Sequence, residues 1–165
     1  MTHPRSHVAE VTGFLAILAV GVSLVPAGAH FFEMFTKLGL PPTDYMIVQQ
    51  IYAGWAFFGI AIFAAIAFIL IHAIMVRTIP AAFRLSLAAL VAMIATQAIF
   101  WSYTQPVNVA SANWSRVPPN LETARQQWEY SHAVNAGLTL LAFGLIIAAV
   151  LAGCRVGQRG ASETR

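Results

Sequence analysis

Four long apolar runs, at residues 11–35, 45–76, 81–103 and 128–154, set the pattern of this chain. Each is long enough for a membrane helix, which needs about 20 mainly apolar residues. The second, as one helix, would reach about 48 Å at about 1.5 Å per residue, so it must tilt or project. Gly39, Pro41-Pro42 and Pro80 punctuate the connections, as glycine does at helix stops and proline at helix starts. The pattern predicts an all-α fold: an integral membrane four-helix bundle in one domain, residues 1–154. An outer loop is expected over 104–127 and a basic disordered tail over 155–165. A loop of that length is rarely slack. It carries Pro106, Pro118, Pro119, Asn108, Asn113 and Trp114, and is expected to fold over the bundle mouth as a lid. Asn113-Trp114-Ser115 also fits a glycosylation sequon, a common triplet.

Composition sharpens the class. The chain is 59% hydrophobic and 9% charged, with mean hydropathy +0.72, against about 25% charged residues in soluble domains. An ordinary soluble domain is excluded. A net charge of +3, spread along the chain, gives no sign of nucleic-acid binding. Cys154 is the single cysteine, so no intramolecular disulfide exists, and its place at the end of an apolar run suggests packing.

Basic residues set the orientation. With four spans, both termini and the middle loop share a side holding Arg5, Arg77, Arg84, Arg155, Arg159 and Arg165. The opposite side holds Lys37, Arg116 and Arg125. This predicts cytoplasmic termini, in a bacterial cytoplasmic membrane. Arg5 and Ala27-Gly28-Ala29 mimic a cleaved signal peptide, but the apolar stretch before them is at the upper limit and continues through Phe31 and Phe32. His3 and His7 read as tail residues and His72, close to Arg77, as interfacial.

Chemistry enters at the outer ends of the first and last runs. His30-Phe31-Phe32-Glu33 and Glu129-Tyr130-Ser131-His132 each put an imidazole and a carboxylate on one helix face. Ionisable groups are costly there and mark a functional site by default. The order is mirrored. Antiparallel helices then place both histidines at one depth and both glutamates nearer the water. Ser23 and Pro26 precede His30, and the proline should bend the helix near the site. Other polar groups gather at this level: Tyr45, Gln49, Gln50 and Tyr52; Gln97, Trp101 and Thr104; Trp128, Asn135 and Thr139. Taken singly, Gln49, Gln50, Asn135 and Thr139 are helix glue, and Trp55 and Trp101 are packing or belt residues.

Three chemistries fit. His30, Glu33, Glu129 and His132 can hold a single Fe, Zn, Mn or Cu ion, since two histidines with a carboxylate form an oxygen-activating set. A dinuclear centre usually needs more carboxylates. Haem between His30 and His132 is a second option. The third needs no cofactor: a histidine acts as base and a paired glutamate fixes its tautomer.

Thr104-Gln105-Pro106-Val107-Asn108, Trp114 and Trp128-Glu129-Tyr130-Ser131-His132 resemble the anthrone-oxygenase-like family of small four-helix membrane proteins. Its signature, Pro-x-Asn after the third span and Trp-x-x-x-His at the fourth, matches Pro106, Asn108, Trp128 and His132. The likeness covers the C-terminal half, and the first half in layout only. It implies cofactor-free oxygenation of anthrones to anthraquinones. His132 would then be the base, with Asn108, Gln97 or Tyr130 bonding the enolate oxygen and Trp101 or Trp128 stacking a flat substrate that enters from the lipid bilayer. His30-x-x-Glu33 lies outside that signature and keeps the metal option open.

The expectation is therefore a membrane-embedded oxidoreductase or oxygenase of a lipophilic aromatic molecule, anthrone- or quinone-like. His132, Glu129, His30 and Glu33 are its catalytic candidates; Asn108, Trp128, Gln97 and Trp101 would bind substrate. The rival is a non-enzymatic membrane subunit with a structural polar cluster. A solute carrier ranks last, because the inner halves lack a polar path. Gly21, Gly28, Gly54 and Gly59 allow close helix contact, within the chain or in a homo-oligomer.

Overall fold

The computed structural model describes residues 4–163, and their side chains over 7–155. His3 and the side chains of Arg5, Arg159 and Arg165 lie outside this description, as do those of the expected tail after Arg155. Helix α1 runs Pro4–Lys37 as one element, with Pro26 inside it. A short α2, Pro42–Val48, leads into two 3-10 turns, Gln49–Tyr52 and Trp55–Phe57, before α3, Phe58–Met75. Helix α4, Pro80–Ile99, passes through a π turn, Phe100–Thr104, into α5, Gln105–Ala110. Helix α6 covers Leu121–Glu163. No strand occurs among the described residues.

Four helical stretches are long and apolar enough to cross a membrane: His7–Lys37, Trp55–Met75, Pro80–Ala110 and Leu121–Arg155. Packing closes them into a ring, α1 on α3, α3 on α4, α4 on α6 and α6 on α1. Alanines dominate the centre. Ala16, Ala65, Ala89, Ala92, Ala142 and Ala149 are buried with Val20, Ile69, Met93 and Ile146. Small side chains let backbones approach, which is how helices associate where lipid is as apolar as the core. The outside is apolar too, with Phe14 63% and Val91 66% exposed, as a lipid-facing surface requires. Ser23, Ser86 and Thr139 bond carbonyls of their own helix instead of bridging helices.

Helix α6, from the fourth run, begins at Leu121, ahead of the expected 128, and runs to Glu163. Two further boundaries differ from the sequence reading, each for a local reason. The second run is not one helix. Gly54 takes a left-handed turn, φ 85°, which ends the 3-10 segment and restarts the chain toward α3. The third run does not stop at 103. Pro106 lacks an N–H, and the π turn just before it absorbs the missing bond, with the Gln105 N–H reaching the Phe100 carbonyl. The helix therefore continues to Ala110, and the loop shrinks to residues 111–120.

At the end opposite the candidate site, His72 is buried in the last turn of α3. Its Nδ1 lies 3.0 Å from the Ala9 carbonyl. Gly13 permits this: a Cβ there would come within 2.7 Å of Val150 and 3.0 Å of the His72 ring. Of the glycines expected to pack, a Cβ added at Gly21 would meet Phe143 at 3.5 Å, while one at Gly28, Gly54 or Gly59 would meet nothing within 4 Å. Cys154 is exposed instead of packed.

Candidate functional site

The mirrored motifs bring their imidazoles together. The His30 and His132 ring centroids are 4.1 Å apart, tilted by 31°. Aromatic rings surround them. Trp128 lies 4.2 Å from His132 and 5.0 Å edge-on from His30. Tyr52 and Trp55 flank His30 at 4.4 and 5.3 Å. His30 is buried and His132 partly so.

The glutamates do not join the histidines. They are drawn to Lys37, which α1 carries one turn beyond Glu33 on the same face. The Lys37 ammonium is 2.9 Å from Glu129 Oε1 and 3.9 Å from Glu33 Oε2. It donates to the Tyr52 hydroxyl at 2.7 Å, and Tyr52 donates to Glu33. It also sits 4.6 Å from the Tyr52 ring centre and 4.9 Å from that of Trp128, in cation–π contact. Its place in the last turn of α1 suits the negative end of the helix dipole. Tyr45 donates to Glu129 Oε1 at 2.9 Å and accepts from Gln49 at 2.6 Å. Burial, then the Glu129 charge, pushes the Tyr45 phenol up. Burial, then the bond to Glu33, does the same at Tyr52. Both hydroxyls therefore remain donors.

Glu129, expected nearer the water than His132, is fully buried within the bundle, while Glu33 keeps 37% of its side chain exposed. The cause is a cap. Ala112, Asn113 and Trp114 take three successive positive φ angles, 47°, 53° and 64°. This turns the Trp114 indole inward onto Tyr45 and Trp128. Gln50 ties the strap down, donating to the Trp114 carbonyl at 2.6 Å. Arg125 closes another seam by donating to the Leu40 carbonyl at 2.9 Å.

The expected substrate contacts divide. Trp128 belongs to the ring box, and its indole donates to Asn108 Oδ1 at 2.9 Å. Asn108 also donates to Gln105 at 3.4 Å, so it positions Trp128 before anything else. Trp101 is 60% and Tyr130 53% exposed, so both leave the site. Gln97 bonds its neighbour Thr96 at 3.4 Å and does not join the cluster. At the end of α4 the π turn contributes, since one extra residue rotates the helix beyond it by about 100° against an ideal one. Trp101 and Thr104 therefore do not share a face. Thr104 is fully buried and paired with Ser131 at 2.7 Å.

Sequence reasoning misses Lys37, which counts there only as a loop charge. The signal is present: His30, Glu33 and Lys37 fall at helical spacing on one face. It also reads Trp55 as packing, although that ring lies against His30.

Neither cofactor option fits this arrangement. Among the described residues no three of His, Cys, Asp and Glu gather as metal ligands, because Lys37 and the tyrosines hold both carboxylates. Imidazoles with centroids 4.1 Å apart leave no room for a porphyrin between them. The site nevertheless lacks partners. His30 Nδ1 and Glu129 Oε2 are buried without a hydrogen bond, as are Gln49 Oε1, Trp114 Nε1 and Asn135 Oδ1. Buried polar atoms are rarely left so, and a cluster of them marks a place for a ligand or ordered water. In comparisons with known protein families, curated proteins and solved structures, the chain matches no family model, no curated protein and no solved structure.

Proposed function

We propose that this chain is a multi-pass oxygenase with its termini on the cytoplasmic side of a bacterial membrane. Its paired imidazoles would remove a proton from a lipophilic, acidic aromatic ring. The observation that carries the reading is the box itself: two contacting imidazoles walled by Tyr52, Trp55 and Trp128, with His30 Nδ1 unpartnered. The resemblance at Pro106, Asn108, Trp128 and His132 supports the same chemistry.

The substrate is a ring CH2 beside a carbonyl-conjugated aromatic system, as in an anthrone. His132 takes one proton from that carbon and leaves an enolate. The enolate passes one electron to dioxygen, and the two radicals join in a C–O bond. The imidazolium returns its proton to the resulting hydroperoxide anion. Loss of water, with the second ring hydrogen leaving as a proton, converts the carbon to a carbonyl. Overall, the CH2 and O2 give C=O and H2O. Indole faces stack the flat ring, and the box excludes bulk water from the anion. Lys37 provides the nearby positive charge that favours an enolate. Glu129 serves Lys37 and Tyr45 and does not set the histidine tautomer.

Anthrone is the probe. Wild-type protein in nanodiscs should consume oxygen and form anthraquinone one for one. His132→Ala should lower kcat by about 10²–10⁴ fold, the usual span for an acid–base group. Replacing the reactive CH2 by CD2 should slow the wild type. An unchanged rate in folded His132→Ala, or no oxygen uptake by wild type, overturns the reading and leaves the cluster as a structural knot.

A further inference from the structure

The imidazole box is closed at both ends of the bundle. Toward one end stand Trp114, 3% exposed, with Tyr45 and Glu129, both fully buried. Toward the other lies the alanine core. The side is different. An apolar groove of about 580 Å³ runs along the bundle between α1 and the start of α3, lined by Val22, Gly54, Trp55, Phe58, Ala61 and Ala64 among others. It exists because the second span is interrupted. Gly54 turns the chain at φ 85°, and a regular helix resumes only at Phe58. Its rim faces outward, with Phe57 78% and Ile60 70% exposed, so it opens to the lipid side.

Trp55 links groove and box. It lines the groove, and its ring packs 5.3 Å from His30 and 5.0 Å from Tyr52. The groove is therefore one side chain away from His30, with the Trp55 ring as the wall the two share. Resting on the oxygenase reading of the box, we propose that the groove holds an apolar arm of the substrate. The substrate class is then an acidic aromatic ring bearing an alkyl or isoprenoid-like chain, and not a bare polycycle. The ring lies in the box and the chain leaves past Trp55 along Ala61 and Ala64.

Two probes separate the parts: a hydroxyanthraquinone carrying a decyl chain, and its chainless parent. Each is equilibrated with protein-loaded and empty nanodiscs of one lipid composition, and the excess held by the protein is measured. Chain partitioning into lipid cancels in this difference. Ala61→Phe and Ala64→Phe, made separately, fill the groove from half-buried positions outside the alanine core. Each should weaken the decyl probe by about tenfold, the effect of overpacking a fitted site, and leave the parent within about twofold. Saturable binding of both probes with no selective loss in either variant overturns the groove assignment and leaves the box reading standing. Displacement of the chain by bulk lipid would give that same result. No saturable excess of either probe on wild type overturns both.

Discussion

Lys37 sits where a charge is expensive, with 3% of its side chain exposed and a fully buried partner in Glu129. Breaking a buried pair costs more than the pair itself contributes, because the survivor is left charged and dry. Lys37→Met should therefore destabilise the protein by about 3–5 kcal/mol, read as unfolding in mild detergent. Adding Glu129→Gln should restore more than half of that loss, since Glu33 can still reach water. A Lys37→Met protein within about 1 kcal/mol of wild type would show that the pair is not held dry. At this scale the sequence displays the histidines but not the fate of the carboxylates. Mirrored His-x-x-Glu and Glu-x-x-His spacing suffices to bring two imidazoles level on antiparallel helices. What diverts Glu129 is Tyr45, 84 residues away, and a lysine on another helix. No periodicity within one segment carries that information.

Among the elements, the strap over the site stores the clearest local strain. Ala112, Asn113 and Trp114 hold φ near 47°, 53° and 64°, a region that costs an L residue roughly 1–2 kcal/mol. The inward Trp114, with its contacts to Tyr45 and Trp128, offsets that cost. Ala112 is exposed and contributes no packing of this kind. Ala112→Gly should thus stabilise the protein, by on the order of 0.5 kcal/mol after the extra freedom of the unfolded glycine is subtracted. Trp114→Ala should lose about 3–5 kcal/mol, as large buried aromatics do. Thermal unfolding of both variants checks the pair, and a lower Tm for Ala112→Gly refutes the strain argument. Element boundaries are legible where punctuation is strong, at Pro41-Pro42 and Pro80. They fail at Pro106 and Gly54 for opposite reasons. A helix can bridge a proline with a π turn, while one glycine in an apolar run can break a span. Sequence spacing assumes an ideal helix throughout, so it puts Trp101 and Thr104 on one face, where the structure exposes the first and buries the second.

For the molecule as a whole, apolar length and low charge are enough to read four spanning helices. Sidedness is a separate matter that rests on the basic residues. Arg5, Arg77, Arg84, Arg155, Arg159 and Arg165 belong to the side of the termini and the middle connection, against Lys37, Arg116 and Arg125 on the other. Lys37 and Arg125 are paired in the fold, with Glu129 at 2.9 Å and Glu122 at 2.6 Å. Orientation follows the count of basic residues near span ends, in which acidic partners weigh little, so this asymmetry supports the proposed cytoplasmic termini. Cys154 makes this measurable, being free, exposed and near the end of the last span. In intact spheroplasts a membrane-impermeant maleimide should leave Cys154 unlabelled until the membrane is opened. Ser115→Cys, on the exposed part of the strap in a Cys154→Ser background, should label at once. The reverse pattern would place the strap and the partly exposed Glu33 on the cytoplasmic side. The imidazole box would then lie in the inner leaflet, and a chain-bearing substrate would have to approach its groove from there.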